Sequence, residues 1–286
     1  MVSRLVEFAS SLAACSVMTA SSRSTLKAKP LALALLVLGC ISTLPSHAQA
    51  VAAPSALRAP AIVDASAPIA RTDKPAFYTL HDEFLARGKS GPIGVLFLGD
   101  SITERWKQAP HIWEHYFGKY QPANFGIGGD RTHNVVWRIE NGELDGIKPR
   151  VVVLMLGTNN TDVHSAEQIA AADGKIIGMI RKKIPGAKVL LLAIFPRDAR
   201  KNADGLIIEA NVADAAKRAE TIDKANALLA KLDDGKQVRF LNINHVFLGR
   251  DGRIPWTIMP DQLHLSPAGY QLWAEAIDRP LAEMME

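Results

Sequence analysis

The chain has very little cysteine and no long apolar run. Only Cys15 and Cys40 occur in 286 residues, and both precede Ala50, where the sequence pattern predicts cleavage of a leader. A mature chain starting at Val51 would therefore hold no disulfide, no thiol nucleophile and no thiolate metal site. The apolar run over residues 31–41 is shorter than the ~20 residues that span a bilayer, so we expect no stable membrane span in the mature chain.

The first 50 residues have the parts of an export signal. Arg23, Lys27 and Lys29 form a basic region, the apolar run follows, and residues 46–50 end in an Ala-x-Ala pattern. We therefore expect a signal peptide over residues 1–50 and a periplasmic or secreted protein. In an alternative interpretation, residues 37–40 form a lipoprotein box, and the protein is anchored at Cys40.

The mature chain also lacks an excess of charge of either sign. After Ala50 there remain 29 basic and 28 acidic residues, a net charge of +1. We therefore expect no nucleic-acid surface. The mature length fits one domain with a full core. Residues 51–74, rich in Ala and Pro, are predicted to be a linker or a loosely docked arm, and residues 75–286 to be the domain.

Apolar runs alternate with helical patterns along this domain. Residues 94–98, 151–156 and 189–194 are short, apolar and bounded by polar or turn residues, as buried parallel strands are. Residues 123–125 and 238–241 are predicted to be two further strands. Helices are predicted over residues 76–86, 111–117, 132–139, 165–183 and 212–232, and from Ser266 and Pro267 to about residue 283. The alternation predicts an α/β sandwich on a parallel sheet.

Three motifs follow predicted strands, and a fourth precedes the last helix. Ser101 stands in Gly-Asp-Ser-Ile-Thr, Gly129 in Gly-Ile-Gly-Gly-Asp, and Asn159 in Gly-Thr-Asn-Asn. Ligands of parallel sheets bind at the carboxyl ends of the strands, so we expect these residues at one edge. Asp261 and His264 stand in Asp-Gln-Leu-His, spaced so that the carboxylate can reach the imidazole.

These residue types are those of an activated hydroxyl nucleophile. His264 would take the proton of Ser101 while Asp261 holds the other ring nitrogen. The N–H of Gly129 and the amide of Asn159 would face the substrate, the amide as a donor to a developing oxyanion. Each motif also has a purely structural interpretation: a helix cap at Ser101, a local hydrogen bond between Asp261 and His264, and ordinary turns at the other two sites.

Together and in this order, the four motifs resemble the blocks of the SGNH-hydrolase (GDSL-type) superfamily. Residues 124–130, with 136–138 and 141–144, are similar to the catalytic subunits of brain-type platelet-activating-factor acetylhydrolase and their bacterial relatives. The likeness runs from about residue 93 to the C-terminus. It implies a flavodoxin-like fold, a three-layer α/β/α sandwich on a five-stranded parallel sheet.

The resemblance also implies a role for each site residue. Ser101 is the nucleophile, His264 the base and Asp261 its orienter, and the N–H groups of Ser101 and Gly129 with the amide of Asn159 form the oxyanion hole. It implies a serine esterase that removes short acyl groups, acetyl above all, with no cofactor and no metal. We expect the substrate to be a small-molecule or glycan ester.

Two alternative functions use the same residues. One is a glycan O-acetyltransferase that passes the acyl group of the same acyl-serine to a hydroxyl, and the other is a non-catalytic binding protein. A metal site is a third alternative, because His111 and His115 match the H-x-x-E-H pattern of some zinc peptidases, although the sequence offers no clear third ligand. The oligomeric state stays open.

Several other residues receive structural interpretations. Trp106, Trp113 and Trp137 are expected to pack in the core. Arg131 and Arg138 could contact an anionic substrate, but pairing at the surface or the core edge is the favoured interpretation. Residues 196–211 form a longer and more polar loop than the resemblance leads us to expect, and this loop could border the site.

Overall fold

The computed structural model describes residues 63–286, apart from the side chains of residues 209–213. Helices and strands alternate along these residues, with short 3₁₀ turns between several of them. In chain order they are α1 (Ala76–Lys89), β1 (Val95–Gly99), α2 (Ser101–Glu104), α3 (Pro110–Phe117), β2 (Pro122–Gly126), α4 (Thr132–Glu140), β3 (Val151–Met155), α5 (Ala166–Lys183), β4 (Lys188–Leu192), α6 (Glu209–Leu229), β5 (Val238–Leu241) and α7 (Pro267–Met285).

Five parallel strands form one sheet in the order β2-β1-β3-β4-β5. Val95 of β1 stands opposite Pro122 of β2 on one side and Val151 of β3 on the other. This is a doubly wound order, in which right-handed crossovers place helices on both faces. The predicted α/β sandwich on a five-stranded parallel sheet is confirmed, and each predicted strand overlaps an observed one.

Alternate side chains of the central strands enter two separate cores. Leu96 and Val152 pack in a cluster with residues of α1, α4, α5 and α6, whereas Phe97 and Val153 pack in a cluster with residues of α3 and α7. β1 and β3 are buried at every position. Burial on both faces explains why these strands read as continuous apolar runs in the sequence.

The last helix begins as its sequence predicts. The side chain of Ser266 caps α7 by accepting a hydrogen bond from the N–H of Gly269 at 3.2 Å, and Pro267 occupies the first helical position. Because the cap fixes where α7 starts, it also fixes the end of the loop that carries Asp261 and His264.

Residues 63–74, within the predicted linker or arm, lie against the domain. Ala65 is buried, and its carbonyl accepts a hydrogen bond from Thr132 Oγ1 at 2.7 Å. Arg71 Nη1 and Lys74 Nζ both donate to the carbonyl of Gly128, at 2.8 and 2.7 Å. This segment therefore packs on the start of α4 and on the loop after β2, so the packed domain includes residues before position 75.

Several predictions concern residues outside the described part. These are the signal peptide over residues 1–50, the alternative anchor at Cys40, and residues 51–62 of the predicted arm. Among the helices of residues 63–286, none combines the length and the apolar character needed to cross a membrane.

Candidate active site

Ser101 is the first residue of the short helix that begins where β1 ends. Asp100 caps this helix by accepting a hydrogen bond from the N–H of Ile102 at 2.9 Å. Gly99 closes the strand at a point without room for a side chain, because an added Cβ would overlap Thr103 Oγ1. The strand-to-helix turn places Ser101 at the carboxyl edge of the sheet.

Ser101, His264 and Asp261 form one chain of hydrogen bonds. Ser101 Oγ lies 2.9 Å from His264 Nε2, and His264 Nδ1 lies 2.7 Å from Asp261 Oδ2. An ionised carboxylate only accepts, so His264 Nδ1 carries the proton and Nε2 offers its lone pair to the hydroxyl. Both Ser101 and His264 are buried, at 9% and 8% exposure. The arrangement can withdraw a proton from the Ser101 hydroxyl.

The loop before α7 folds the carboxylate of Asp261 back on its own backbone. Asp261 Oδ1 accepts hydrogen bonds from the N–H groups of Leu263 at 3.1 Å and His264 at 2.7 Å. Gln262 adopts a left-handed conformation with φ of +61°. Its side-chain amide is buried and donates to the carbonyl of Met259 at 3.2 Å. Oδ2 is thereby left to face the imidazole.

Arg200 is a second partner of Asp261. Its Nη2 atom lies 2.9 Å from Asp261 Oδ2, the oxygen that also meets His264. Partial burial alone would raise the pKa of Asp261, but the hydrogen bonds from His264 and the charge of Arg200 hold that pKa well below its usual range. Asp261 is therefore ionised throughout the neutral pH range. Arg200 lies in the long polar loop of residues 196–211, so this loop borders the site.

The three candidate oxyanion donors belong to Ser101 itself, to the loop after β2 and to the loop after β3. Asn159 Nδ2 donates to the carbonyl of Asp130 at 2.9 Å and lies 3.3 Å from Asp100 Oδ2. Gly129 has a φ of +80°, which favours glycine. Within residues 63–286, neither the N–H of Ser101 nor that of Gly129 donates to a protein acceptor. Neither N–H group therefore has a protein partner among the described residues, as an oxyanion donor requires.

A buried ionic network lies beneath these donors. Arg138 is fully buried, with Nε 3.0 Å from Asp130 Oδ2 and Nη1 2.8 Å from Glu143 Oε2. Arg138 is paired, as the favoured interpretation predicts, but the pairs lie within the core and not at the surface or the core edge, because α4 turns this side chain inward. Arg131 does pair near the surface, with Asp162 at 2.7 Å.

Asp100, next to the nucleophile, is fully buried. Its burial raises its pKa to about 7, against the hydrogen bond from the N–H of Ile102 and the positive charge of Arg197. At neutral pH a substantial fraction of Asp100 is therefore uncharged. That neutral fraction places little negative charge beside the position where an oxyanion would form.

The alternative metal site finds no further ligands in the described structure. His111 and His115 lie on α3 and are exposed. Residues 63–286 contain no group of three or more His, Cys, Asp or Glu side chains that could hold a metal ion. The H-x-x-E-H pattern is thus part of a helix surface.

Two features of the site were not predicted from the sequence. The pairing of Arg200 with Asp261 joins an irregular loop to another loop, so no periodicity signals it. The second feature is Trp256, which lines the same cleft as Arg200 and Asp261 and is 71% exposed. No role was predicted for this residue from the sequence. The sequence does offer a sign that Trp256 is exposed, because it lies in a Pro- and Gly-containing loop, four residues before Pro260.

Comparison with known proteins identifies the family of this chain. The model of the GDSL-like Lipase/Acylhydrolase family matches residues 97–272. The human platelet-activating factor acetylhydrolase IB subunit alpha1 is 35% identical over 208 residues, which cover 72% of this chain and 83% of that protein. The alpha2 subunit from Rattus norvegicus is 34% identical over 207 residues, with the same coverage of each chain.

Solved structures share the architecture. A GDSL-like lipase from Bacteroides thetaiotaomicron matches with a TM-score of 0.56 and 16% identity, over 71% of this chain and 97% of that one. A carbohydrate acetylesterase from Sinorhizobium meliloti matches with a TM-score of 0.52 and 20% identity, over 67% and 99%. At these identities the likeness shows a common fold.

Proposed function

The chain belongs to the GDSL-like lipase/acylhydrolase family and is an ester hydrolase, and on that basis we propose an exported serine esterase that removes short acyl groups, acetyl above all, from O-acetylated glycans. The observation that carries the serine mechanism is the hydrogen-bonded chain from Ser101 through His264 to Asp261. The acetylhydrolase names of the curated relatives support the acetyl group. The leader pattern supports export.

In the first half of the reaction, Ser101 Oγ attacks the ester carbonyl carbon while His264 Nε2 takes the hydroxyl proton. The new C–O bond gives a tetrahedral oxyanion, and the imidazolium is stabilised by Asp261. His264 then returns the proton to the alcohol oxygen as the bond between that oxygen and the carbonyl carbon breaks. The alcohol leaves, and the acyl group stays on Ser101.

In the second half, His264 takes a proton from water, whose oxygen attacks the acyl-serine carbonyl. The bond to Ser101 Oγ breaks, Oγ regains a proton from His264, and the carboxylic acid leaves. In both halves the N–H groups of Ser101 and Gly129 and the amide of Asn159 donate to the oxyanion. Asn159 Nδ2 exchanges its long contact with Asp100 for this oxygen. Loss of one such donor typically costs about 3 kcal/mol of transition-state stabilisation.

The test compares p-nitrophenyl acetate, butyrate and octanoate as substrates for the chain from Val51. We expect turnover to fall from acetate to octanoate, and Ser101→Ala to lower kcat at least about a thousandfold, as loss of a serine nucleophile does. Ser90→Ala removes an exposed hydroxyl at the end of α1 and serves as the matched control, with full activity expected.

Three outcomes would contradict the proposal. Full activity in Ser101→Ala would remove Ser101 from its role. A preference for octanoate would exclude a short-chain esterase. Transfer of acetyl to an added oligosaccharide faster than to water would favour the acetyltransferase that uses the same three residues.

A further inference from the structure

A cleft of about 750 Å³ lies next to the acid–base side of the active site. Asp261 and Arg200, the ion pair that holds His264, form part of its wall. Trp256 and Pro260 face it from the loop before α7, and Asn202 faces it from the opposite side. One imidazole ring, that of His264, separates this wall from the Ser101 hydroxyl.

The opposite wall of the cleft is a small hairpin. Lys201 and Ile207 form an antiparallel bridge, and Asn202 Oδ1 accepts hydrogen bonds from the N–H groups of Asp204 and Leu206 at 3.1 and 2.9 Å. The hairpin is joined to the catalytic loop by backbone as well as by Arg200, because the N–H of Lys201 donates to the carbonyl of Asp261 at 3.4 Å. The cleft and the triad therefore share one framework.

Trp256 is the exposed member of the five tryptophans. Trp106 and Trp273 are buried, Trp113 and Trp137 are half-buried against other aromatic rings, and Trp256 is 71% exposed. All five lie within residues 63–286, so the comparison covers every tryptophan of the chain. An indole left open beside a cleft that has both apolar and polar walls offers a flat apolar face and an N–H donor to a ligand.

The order of the strands sets the direction in which an ester lies. Gly129, Ser101 and Asn159 follow β2, β1 and β3, whereas Arg200 follows β4 and His264 follows β5. The carbonyl oxygen must meet the first group of residues, and the alcohol oxygen must receive its proton from His264. The alcohol part of the ester therefore extends toward the β4–β5 side, where the cleft lies.

We infer that this cleft binds the alcohol part of the substrate and that this part is a saccharide stacked on Trp256. A sugar ring presents C–H groups on its faces and hydroxyl groups at its edge. The cleft offers the matching surfaces, an indole face with the charged or amide groups of Lys201, Asn202 and Asp204 around it. A hydrocarbon chain would form no hydrogen bond with these polar groups, whereas sugar hydroxyl groups can.

This inference rests on the proposed esterase function and deepens it. Two acetate esters distinguish failure of the saccharide site from failure of the esterase proposal. One is ethyl acetate, whose alcohol part is too small to reach the cleft, and the other is acetylated xylobiose. In Trp256→Ala we expect kcat/KM for acetylated xylobiose to fall at least tenfold, mainly through KM, while kcat/KM for ethyl acetate stays within twofold. Trp256→Phe keeps a stacking face and should retain most of the activity.

Leu206→Ala is the matched control. Leu206 is 65% exposed on the same hairpin but does not line the cleft. We expect it to leave both substrates unchanged. Equal losses on both esters in Trp256→Ala, or no loss on either, would overturn the inference. Binding of phosphatidylcholine vesicles that is lost in both Trp256→Ala and Leu206→Ala would assign the surface to lipid and overturn it as well.

Binding without turnover gives an independent readout. Acetylated xylobiose should change the tryptophan fluorescence of the Ser101→Ala protein, and the change should disappear in the Ser101→Ala, Trp256→Phe double variant. If the wild-type chain hydrolyses neither ester but this signal is present, the esterase proposal fails and the saccharide site stands. If both esters are hydrolysed and the signal is absent, the saccharide site fails alone.

Discussion

Arg200 is connected to Ser101 through Asp261 and His264. Its guanidinium shares Asp261 Oδ2 with His264 Nδ1, so it competes with the imidazole for the same negative charge. A carboxylate oxygen can accept from both donors. The arginine thus fixes the position of Asp261 and also weakens the pull that Asp261 exerts on an imidazolium.

We expect Arg200→Gln to move the acid limb of the kcat/KM profile to higher pH. Without the competing cation, the carboxylate stabilises the imidazolium more, so the base needs a higher pH to become free. The shift should be roughly 0.2–0.7 pH units, if the lost repulsion between the Arg200 cation and the imidazolium has the size of an exposed ion-pair energy, roughly 0.2–1 kcal/mol. Hydrolysis of p-nitrophenyl acetate between about pH 5 and 9 measures it.

Two variants accompany this measurement. Lys201→Gln removes the same charge from the neighbouring position, whose side chain forms no salt bridge within the described residues, and should leave the acid limb in place. Arg200→Lys retains a cation near Asp261, so its acid limb should shift less than that of Arg200→Gln. An acid limb that does not move in Arg200→Gln would limit Arg200 to holding the hairpin.

Arg138 attaches the helix α4 to the active-site edge. Besides its two carboxylates, Arg138 donates to the carbonyl of Phe125 at 3.0 Å and to that of Gly99 at 3.2 Å. The ends of β1 and β2 are thereby bridged by a residue of α4. The turns that carry Ser101 and Gly129 both start at these strand ends.

We expect Arg138→Met to lower the free energy of unfolding by about 3–5 kcal/mol, because two carboxylates would remain buried without their cation. Urea unfolding followed by circular dichroism measures the loss. Arg181→Met is the control, since Arg181 on α5 pairs with Asp234 at 3.3 Å while both are exposed. Such a pair contributes at most about 1 kcal/mol. Equal losses in the two variants would contradict a special role for Arg138.

The domain depends on a segment that precedes its first helix. Arg71 and Lys74 bind the carbonyl of Gly128, one residue before a candidate oxyanion donor. The carbonyl of Ile69 accepts from Asn134 Nδ2 at 2.8 Å, which ties the segment to α4. Stability and the shape of the oxyanion site are therefore linked through residues 63–74.

A chain that starts at Pro75 should be less stable than one that starts at Val51, and its kcat should be lower. The truncated chain lacks at least four hydrogen bonds to α4 and the Gly128 loop, each worth about 1 kcal/mol net. Thermal unfolding and p-nitrophenyl acetate hydrolysis measure the two effects. A chain that starts at Val63 keeps these bonds and should be more stable than the Pro75 chain. Equal stability of the Pro75 chain would show that the segment contributes nothing.

The positions of the central strands could be predicted because strands buried on both faces carry a strong apolar signal, whereas the order of the strands in the sheet comes from the structure. The residues of the candidate site were predicted from motifs at the strand ends together with the family resemblance. The family is confirmed. The roles of Ser101, His264 and Asp261 stay predictions until the variants are measured. Sequence alone did not reveal Arg200 as a partner of Asp261, because that contact depends on how one irregular loop lies over another.

Arg138 was misjudged for a different physical reason. A buried arginine is rare, and its sequence context gives no sign that two carboxylates accompany it into the core. The docking of residues 63–74 was expected only as one of two alternatives, a linker or a loosely docked arm, since hydrogen bonds from irregular backbone produce no periodic pattern. Local sequence thus predicts elements well and predicts contacts between non-repetitive segments poorly.

The contact between Ser101 and His264 closes a chain segment of 163 residues. A ribosome releases the nucleophile long before it releases the base, and β3, β4 and β5 must all be paired before the two can meet. A nascent polypeptide therefore holds a serine of ordinary reactivity. Esterase chemistry is acquired at the end of folding, in whichever compartment that takes place.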